Sequence, residues 1–245
     1  MTELSALPKT TLNRLAEAGT QVRESMRALE KAELNLVGEC LKGQGDFYEL
    51  SHYPQDDVYD ADSKSQYYFH THRGLNGEYG HFHTFLRAAG MPPMMVPVKN
   101  TGSEIWPSGD EALSHLICIS MNQDGVPIGL FTTNRWVTNE AWYQAEDVIR
   151  MLDSFEVDHA FPNLAVNQWI TAMFRLYKDE IVELLLERDR AVSEWLEKHP
   201  GQDVFEDRNL EVTSFKTINV DQKIDIMQYV NNLAEAAVRN KENYR

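Results

Sequence analysis

The sequence predicts an α+β protein, an antiparallel sheet built from local hairpins and covered by long helices. Three observations predict it. Two pairs of strand-like segments are each joined by a preferred two-residue turn dipeptide, Asn76-Gly77 and Asp124-Gly125. Long stretches with apolar residues at three- and four-residue spacing flank these pairs. No G-x-G-x-x-G or G-x-x-x-x-G-K-[ST] segment follows a strand, so a doubly wound nucleotide-binding sheet has nothing to rest on.

The elements follow in order. Residues 9–41 read as one long helix or a broken pair, with Val22, Met26, Leu29, Leu36 and Cys40 on one side. Thr10 or Thr11 can cap its start and Gly43 can end it, while Gly19 marks a weak point. Residues 43–66 are polar, acidic and tyrosine-rich, and Pro54 argues against a regular element there; an ordered, functional loop is expected. Strands are expected at 67–73, 79–86, 113–121 and 127–136, with a proline-rich structured loop between the pairs. Helix returns at 139–153 and again at 163–198, where Pro200-Gly201 stops it. A strand at 210–218 precedes a last helix with Asp221 as its cap.

At 245 residues and 42% hydrophobic composition, the chain is long enough for a sizeable core. A single domain over 1–245 is expected, with an N-terminal helical segment 9–41, a histidine-bearing sheet core 67–136 and a C-terminal helical region 139–242. The formal charge of −15 repels a phosphate backbone, so nucleic acid is not an expected partner. With no run of 18 apolar residues, no membrane partner is expected either. The opening MTELSALPKT lacks the apolar core of a signal peptide, and two cysteines, Cys40 and Cys118, make no disulfide framework; a cytoplasmic location is expected. The sequence is compatible with a homo-oligomer.

The chemistry concentrates in YYFHTHRGLNGEYGHFHTFLR, residues 67–87, which contains two H-x-H pairs. Residues two apart on a strand share a face, so each pair sets two imidazoles together. If Asn76-Gly77 forms a two-residue loop, His72 opposes His81 and His70 opposes His83. Four rings then form a rectangle on one face. A one-residue slip would divide the pairs between faces. Four neutral imidazoles with convergent lone pairs suit a divalent transition metal. In the second hairpin, the Asp124-Gly125 turn pairs Met121 with Ile128, Ile119 with Leu130, Ile117 with Thr132, and His115 with Asn134. His115 thereby becomes a fifth candidate ligand, with Thr132 and Asn134 on the same floor. Cys118 falls on the opposite face, as a buried small hydrophobe.

Around the histidines, Asp56, Asp57 and Asp60 lie on the loop leading into the first strand. They are candidates for a ligand, an acceptor for an imidazole N–H, or a proton acceptor. Tyr68 shares the histidine face and begins an aromatic wall suited to an apolar or planar substrate. Glu78 sits beside the turn and off that face. No G-x-S-x-G elbow, H-E-x-x-H helix or C-x-x-C dithiol is present to support a rival chemistry. A strand-borne H-x-H feeding a small antiparallel sheet resembles the cupin metal site, and Gly125-Val126-Pro127-Ile128-Gly129 resembles that family's second motif. Phe131 and Thr132 stand where that motif has its histidine, the acid after His72 is Glu78 at a longer spacing, and long helices flank the segment. The chain is therefore not assigned to that family.

The expected function is a metal-dependent enzyme. His70, His72, His81, His83 and His115 are the candidate metal ligands, and Asp56, Asp57, Asp60, Tyr68 and Asn134 the candidate catalytic residues. An all-imidazole set beside tyrosines points to non-haem iron or copper using O₂ on a small molecule. The alternatives are a zinc-dependent hydrolase, with a loop aspartate accepting the proton of bound water, and a non-enzymatic metal-binding or interaction protein with structural histidines.

Overall fold

The computed structural model describes residues 7–72 and 77–243. Helix α1 (Lys9–Glu30) and the short α2 (Leu36–Leu41) lead into strands β1 (Tyr53–Tyr59), β2 (Ser65–His70) and β3 (Gly80–Arg87). After a long loop come β4 (Leu113–Met121) and β5 (Pro127–Thr133). Helices α3 (Arg135–Thr138), α4 (Ala145–Met151), α5 (Leu164–Leu176) and α6 (Lys178–Lys198) precede β6 (Val212–Thr217) and α7 (Val220–Asn243). The six strands form one antiparallel sheet in the order β1-β2-β3-β4-β5-β6. Every neighbour in the sheet is also the next strand in sequence, which is the α+β meander that local turn signals favour. Among the described residues no helix is long and apolar enough to cross a membrane.

Several boundaries differ from the sequence reading, each for a local reason. The N-terminal helix does not break at Gly19. A Cβ there would lie 3.3 Å from Ile224, so the missing side chain lets α7 approach α1 closely. The break comes instead at residues 31–35, and Asn35 caps α2 by accepting from Gly38 N at 2.8 Å. The stretch around Pro54 is not all loop. It contains β1, an edge strand, where a residue without an N–H is tolerated. The expected helix over 163–198 is two helices divided at Tyr177, which leaves helical geometry (φ −108°, ψ 18°). Helix at 139–153 shrinks to α4, with Asn139 in the left-handed region just after α3. At the start of α7, Asn219 rather than Asp221 accepts the capping hydrogen bond, from Gln222 N.

The sheet is buried on both faces through β2, β3 and β4. One face carries Tyr67, Phe69, Phe82, Ile119 and Leu130 into the main core with α1 and α5. Phe82 meets Trp169 of α5 at 5.4 Å between ring centroids, and Tyr67 Oη donates to Asn167 Oδ1 at 2.5 Å. The other face carries the histidines. Because alternate residues of one strand serve two different interiors, β2 and β3 read as continuous aromatic and histidine runs without the polar alternation of a half-exposed sheet.

Trp169 is fully buried, and its indole N–H has no hydrogen-bond partner among the described residues. Trp169→Ala is expected to destabilise the fold by about 3–5 kcal/mol through the cavity it leaves. Trp169→Phe, which removes the unpaired donor and keeps an aromatic ring, should cost under about 1.5 kcal/mol. Urea unfolding midpoints of the two variants test this ordering.

Candidate metal centre

β2 and β3 pair His70 with His81 and Tyr68 with His83. This register is shifted by two positions from the one the two-residue turn implied. Asn76 of the expected Asn76-Gly77 turn lies outside the described residues, and Gly77 has a φ of 80°. A shift of two leaves every side chain on its original face, because the strand period is two. The histidines therefore stay together although their partners change.

The outcome is a triangle, not a rectangle. His70 Nε2 lies 2.8 Å from His81 Nε2 and 3.0 Å from His83 Nε2, and the third edge, His81 to His83, is 3.1 Å. The three rings stand steeply to one another, at 68–89°, so they meet edge to edge with converging nitrogens instead of stacking. His72 lies past the last ladder pair, its ring 4.8 Å from that of His70 and 5.2 Å from that of His81. It borders the triangle without supplying a corner.

Hydrogen bonding alone cannot satisfy such a triangle. Each imidazole nitrogen is either an N–H donor or a lone-pair acceptor. Around a ring of three, donors and acceptors cannot alternate, so at least one contact sets like against like. Burial removes the water that would relieve it, since His81 and His83 are almost wholly inaccessible. A cation between the three lone pairs satisfies all of them at once, and His70, His81 and His83 form a buried group that can hold a metal ion.

Glu78, which the sequence reading set off the histidine face, proves to be part of the site. Its Oε1 lies 2.9 Å from His81 Nδ1, and its Oε2 accepts from Ser120 Oγ. A carboxylate on Nδ1 keeps the proton there and turns the Nε2 lone pair toward the triangle, the usual second partner of a metal-bound histidine. The sequence signal was a carboxylate three residues before an H-x-H.

His115 joins by a different route. Leu116 and Ile117 of β4 together oppose the single Thr84 of β3, a β-bulge. Thr84 Oγ1 donates to Ile117 O at 2.6 Å and accepts from Ile117 N at 3.2 Å, which satisfies the backbone that the bulge displaces from the ladder. The extra residue turns His115 onto the face of Cys118, three positions away, where a regular strand would have set them on opposite faces. Cys118 is thus not on the reverse face. Its Sγ lies 3.2 Å from His83 Nδ1 and 3.3 Å from His115 Nε2. His83, His115 and Cys118 form a second buried group able to hold a metal ion. The far half of the second hairpin keeps the expected register, pairing Ile119 with Leu130. Near its turn Met121 pairs with Pro127 instead of Ile128.

Burial disfavours the charged form of His83 and His115. It pushes the His83 imidazole well below its ordinary value, and the neighbouring His81, His115 and His70 push the same way. His115 is pushed down to about 3 by burial, with Arg188 and His81 adding to it. Beside it, Glu140 Oε2 accepts from His115 N at 2.5 Å, and burial raises this carboxyl to about 7 despite the proximity of Arg188.

The remaining candidates separate. Tyr68 lies over His83 with ring centroids 5.1 Å apart, and burial, then Cys118 and Asp57, pushes its phenol far up, so it stays protonated. Asp57 lies at the edge of the site, its Oδ1 2.9 Å from His52 Nδ1, and His52 stacks flat on Tyr68 at 3.5 Å. Asp56 is exposed. Asp60 is structural. Burial raises its carboxyl, but the backbone N–H groups of Asp158, Ser63 and Asp62 outweigh that and hold it below the usual range. Asn134 does not line the site. Its amide caps α3 by accepting from Arg135 N and donates to Val204 O. Thr132 is occupied in a hydroxyl cluster with Thr213 and Ser214. Asn134 and Thr132 were expected there because an unbulged β4 would have kept them on the His115 face.

Thr84→Val keeps the shape of the side chain and removes the hydroxyl that closes the bulge. It should destabilise the protein by about 1–3 kcal/mol through unsatisfied backbone groups, measured by urea unfolding, while Thr84→Ser should remain within about 1.5 kcal/mol of the parent.

A family model described as Domain of unknown function (DUF6969) matches residues 16–218, a span that includes all six strands and every histidine of the cluster. No curated protein and no solved structure matches the chain. The protein belongs to the DUF6969 family.

Proposed function

We propose that the protein is a metal-dependent oxidoreductase in which His70, His81 and His83 hold a non-haem iron that reacts with O₂ and a small molecule. The observation that carries the reading is the size of the Nε2 triangle, 2.8–3.1 Å on each edge. For metal–nitrogen bonds of about 2.1 Å, edges of this length correspond to ligand–metal–ligand angles of about 84–95°. That is one triangular face of an octahedron. A tetrahedral zinc would spread the same nitrogens to about 3.4 Å. Three ligands on one face leave the opposite positions open, the arrangement that non-haem iron oxygenases use. Copper fits the all-imidazole set but has less need of three mutually perpendicular donors. Zinc-dependent hydrolysis is the weaker reading on the same ground.

Iron bound there would supply O₂ activation; the chain's own residues supply the rest. Glu78 holds the Nδ1 proton of His81 and strengthens that ring as a donor. Tyr68 stays protonated and offers a hydrogen-bond donor beside His83. His52 is half-exposed, with its Nδ1 held by Asp57, and can carry protons between solvent and the centre. Tyr68, Phe85 and the flat His52–Tyr68 stack give this side an aromatic character suited to a small planar or apolar substrate.

The test is metal analysis of protein purified without a histidine tag, followed by ferrous loading and measurement of O₂ uptake. Bound iron should be present in the parent and lost in the His70→Ala/His81→Ala double variant. Equal occupancy in both, or none in either, would end the proposal. A metal that binds through the triad but never consumes O₂ would leave a storage or carrier protein. Glu78→Gln should weaken metal affinity by about 10–100-fold without unfolding the chain, and unchanged affinity would remove Glu78 from the site.

A further inference from the structure

The triangle on the far nitrogen of His83 has its own chemistry. His83 Nδ1 lies 3.1 Å from His115 Nε2 and 3.2 Å from Cys118 Sγ, and Sγ closes the figure 3.3 Å from His115 Nε2. The thiol sulfur is nearer to His83 Nδ1 than to His83 Nε2, which is 3.9 Å away. All three residues are buried. Two independent features of the fold produce the grouping. One is the ladder position that sets Cys118 opposite His83, and the other is the bulge, sealed by Thr84, that brings His115 to the same face.

We infer that His83, His115 and Cys118 form a second metal site, for a thiolate-accepting ion such as zinc or copper, on the opposite nitrogen of the ring that serves the inner centre. Two imidazoles and a thiolate are a soft-to-borderline donor set, which those ions prefer over magnesium, calcium or manganese. With bonds of about 2.0–2.1 Å to nitrogen and about 2.3 Å to sulfur, the observed edges correspond to angles of about 95–100°. The ion would sit above the three donors as the apex of a pyramid.

The outer site stands on its own donors, but the two-ion form rests on the inner-centre reading. When both are filled, His83 bridges them as an imidazolate, Nε2 to the inner ion and Nδ1 to the outer. Filling the second site displaces two protons to solvent, the thiol proton of Cys118 and the last N–H proton of His83, and moves no electrons. Two divalent ions bring four positive charges. The thiolate, the imidazolate and the Glu78 carboxylate return three, which makes the pair tolerable in a buried site.

Cobalt(II) alone, titrated into tag-free apo-protein under reducing conditions, tests both sites separately. The expected result is a second equivalent of bound cobalt accompanied by an intense thiolate-to-cobalt charge-transfer band. Both should disappear in Cys118→Ser, and in His115→Gln as a second variant, while His70→Ala/His81→Ala should keep the thiolate band and bind a single equivalent. Far-UV circular dichroism establishes that each variant is folded. A single bound ion with no thiolate band, insensitive to Cys118→Ser and lost in His70→Ala/His81→Ala, would overturn the outer site and leave the inner one standing. A thiolate band with one ion, lost in Cys118→Ser and untouched by the double variant, would support the outer site and overturn the inner. No cobalt binding at all would overturn both.

Discussion

Three imidazole nitrogens in mutual contact inside a water-excluding sheet face are the constraint on which the rest of this structure depends. In water such a cluster would be relieved by solvent, or would protonate and separate. Here the rings are buried, and the cost of placing charge there pushes the His83 imidazole well below its ordinary value. An odd ring of donors and acceptors cannot be satisfied internally. The fold must hold the rings against their own preference, and a metal ion is the simplest species that removes the conflict.

The means of holding them is visible in the surrounding contacts. Glu78 and Ser120 fix the proton of His81, Tyr68 and Phe85 lie against His83, and Phe131 meets the His81 ring at 5.1 Å. On the other side of the sheet, Phe69 and Phe82 anchor the same two strands in the helical core. Each histidine strand is therefore clamped from behind by the residues next to its own histidines. This double duty explains why β2 and β3 have almost no solvent-facing position. A rigid platform of this kind sets ligand positions more tightly than a loop would.

The helical insertion between β5 and β6 serves the site from its end. Arg188 of α6 donates to Tyr143 O and lies 4.2 Å from the Trp142 ring centroid, and Glu140 beside it accepts from the backbone of His115. Arg135 completes the group by donating to Glu206 and to the carbonyl of Glu140. These buried charges are compensated within the cluster, as burial requires. They tie α3, α6 and β4 together beside His115, which is paired with Phe85 of β3 but lies beyond the β4–β5 pairs.

Much of the inner centre was legible in the residues alone. H-x-H spacing puts two rings on one face of any strand, and an antiparallel return with an even offset keeps a second pair beside the first. That conclusion survived a register shift of two, because parity and not the particular partner decides the face. The α+β class followed equally from local turns and helical periodicity. What only the tertiary structure decided was everything that broke parity or reached across chain distance. The bulge at Leu116-Ile117 moved His115 and Cys118 onto one face and left Asn134 and Thr132 to other partners, and it exists because a threonine hydroxyl on the adjacent strand can replace a ladder bond. Glu78 entered the site through contacts with His81 and with Ser120, 42 residues away in sequence. Alternation along a strand is a property of the backbone and can be read from sequence; a bulge is a property of two strands together, so its position is set only when they pair.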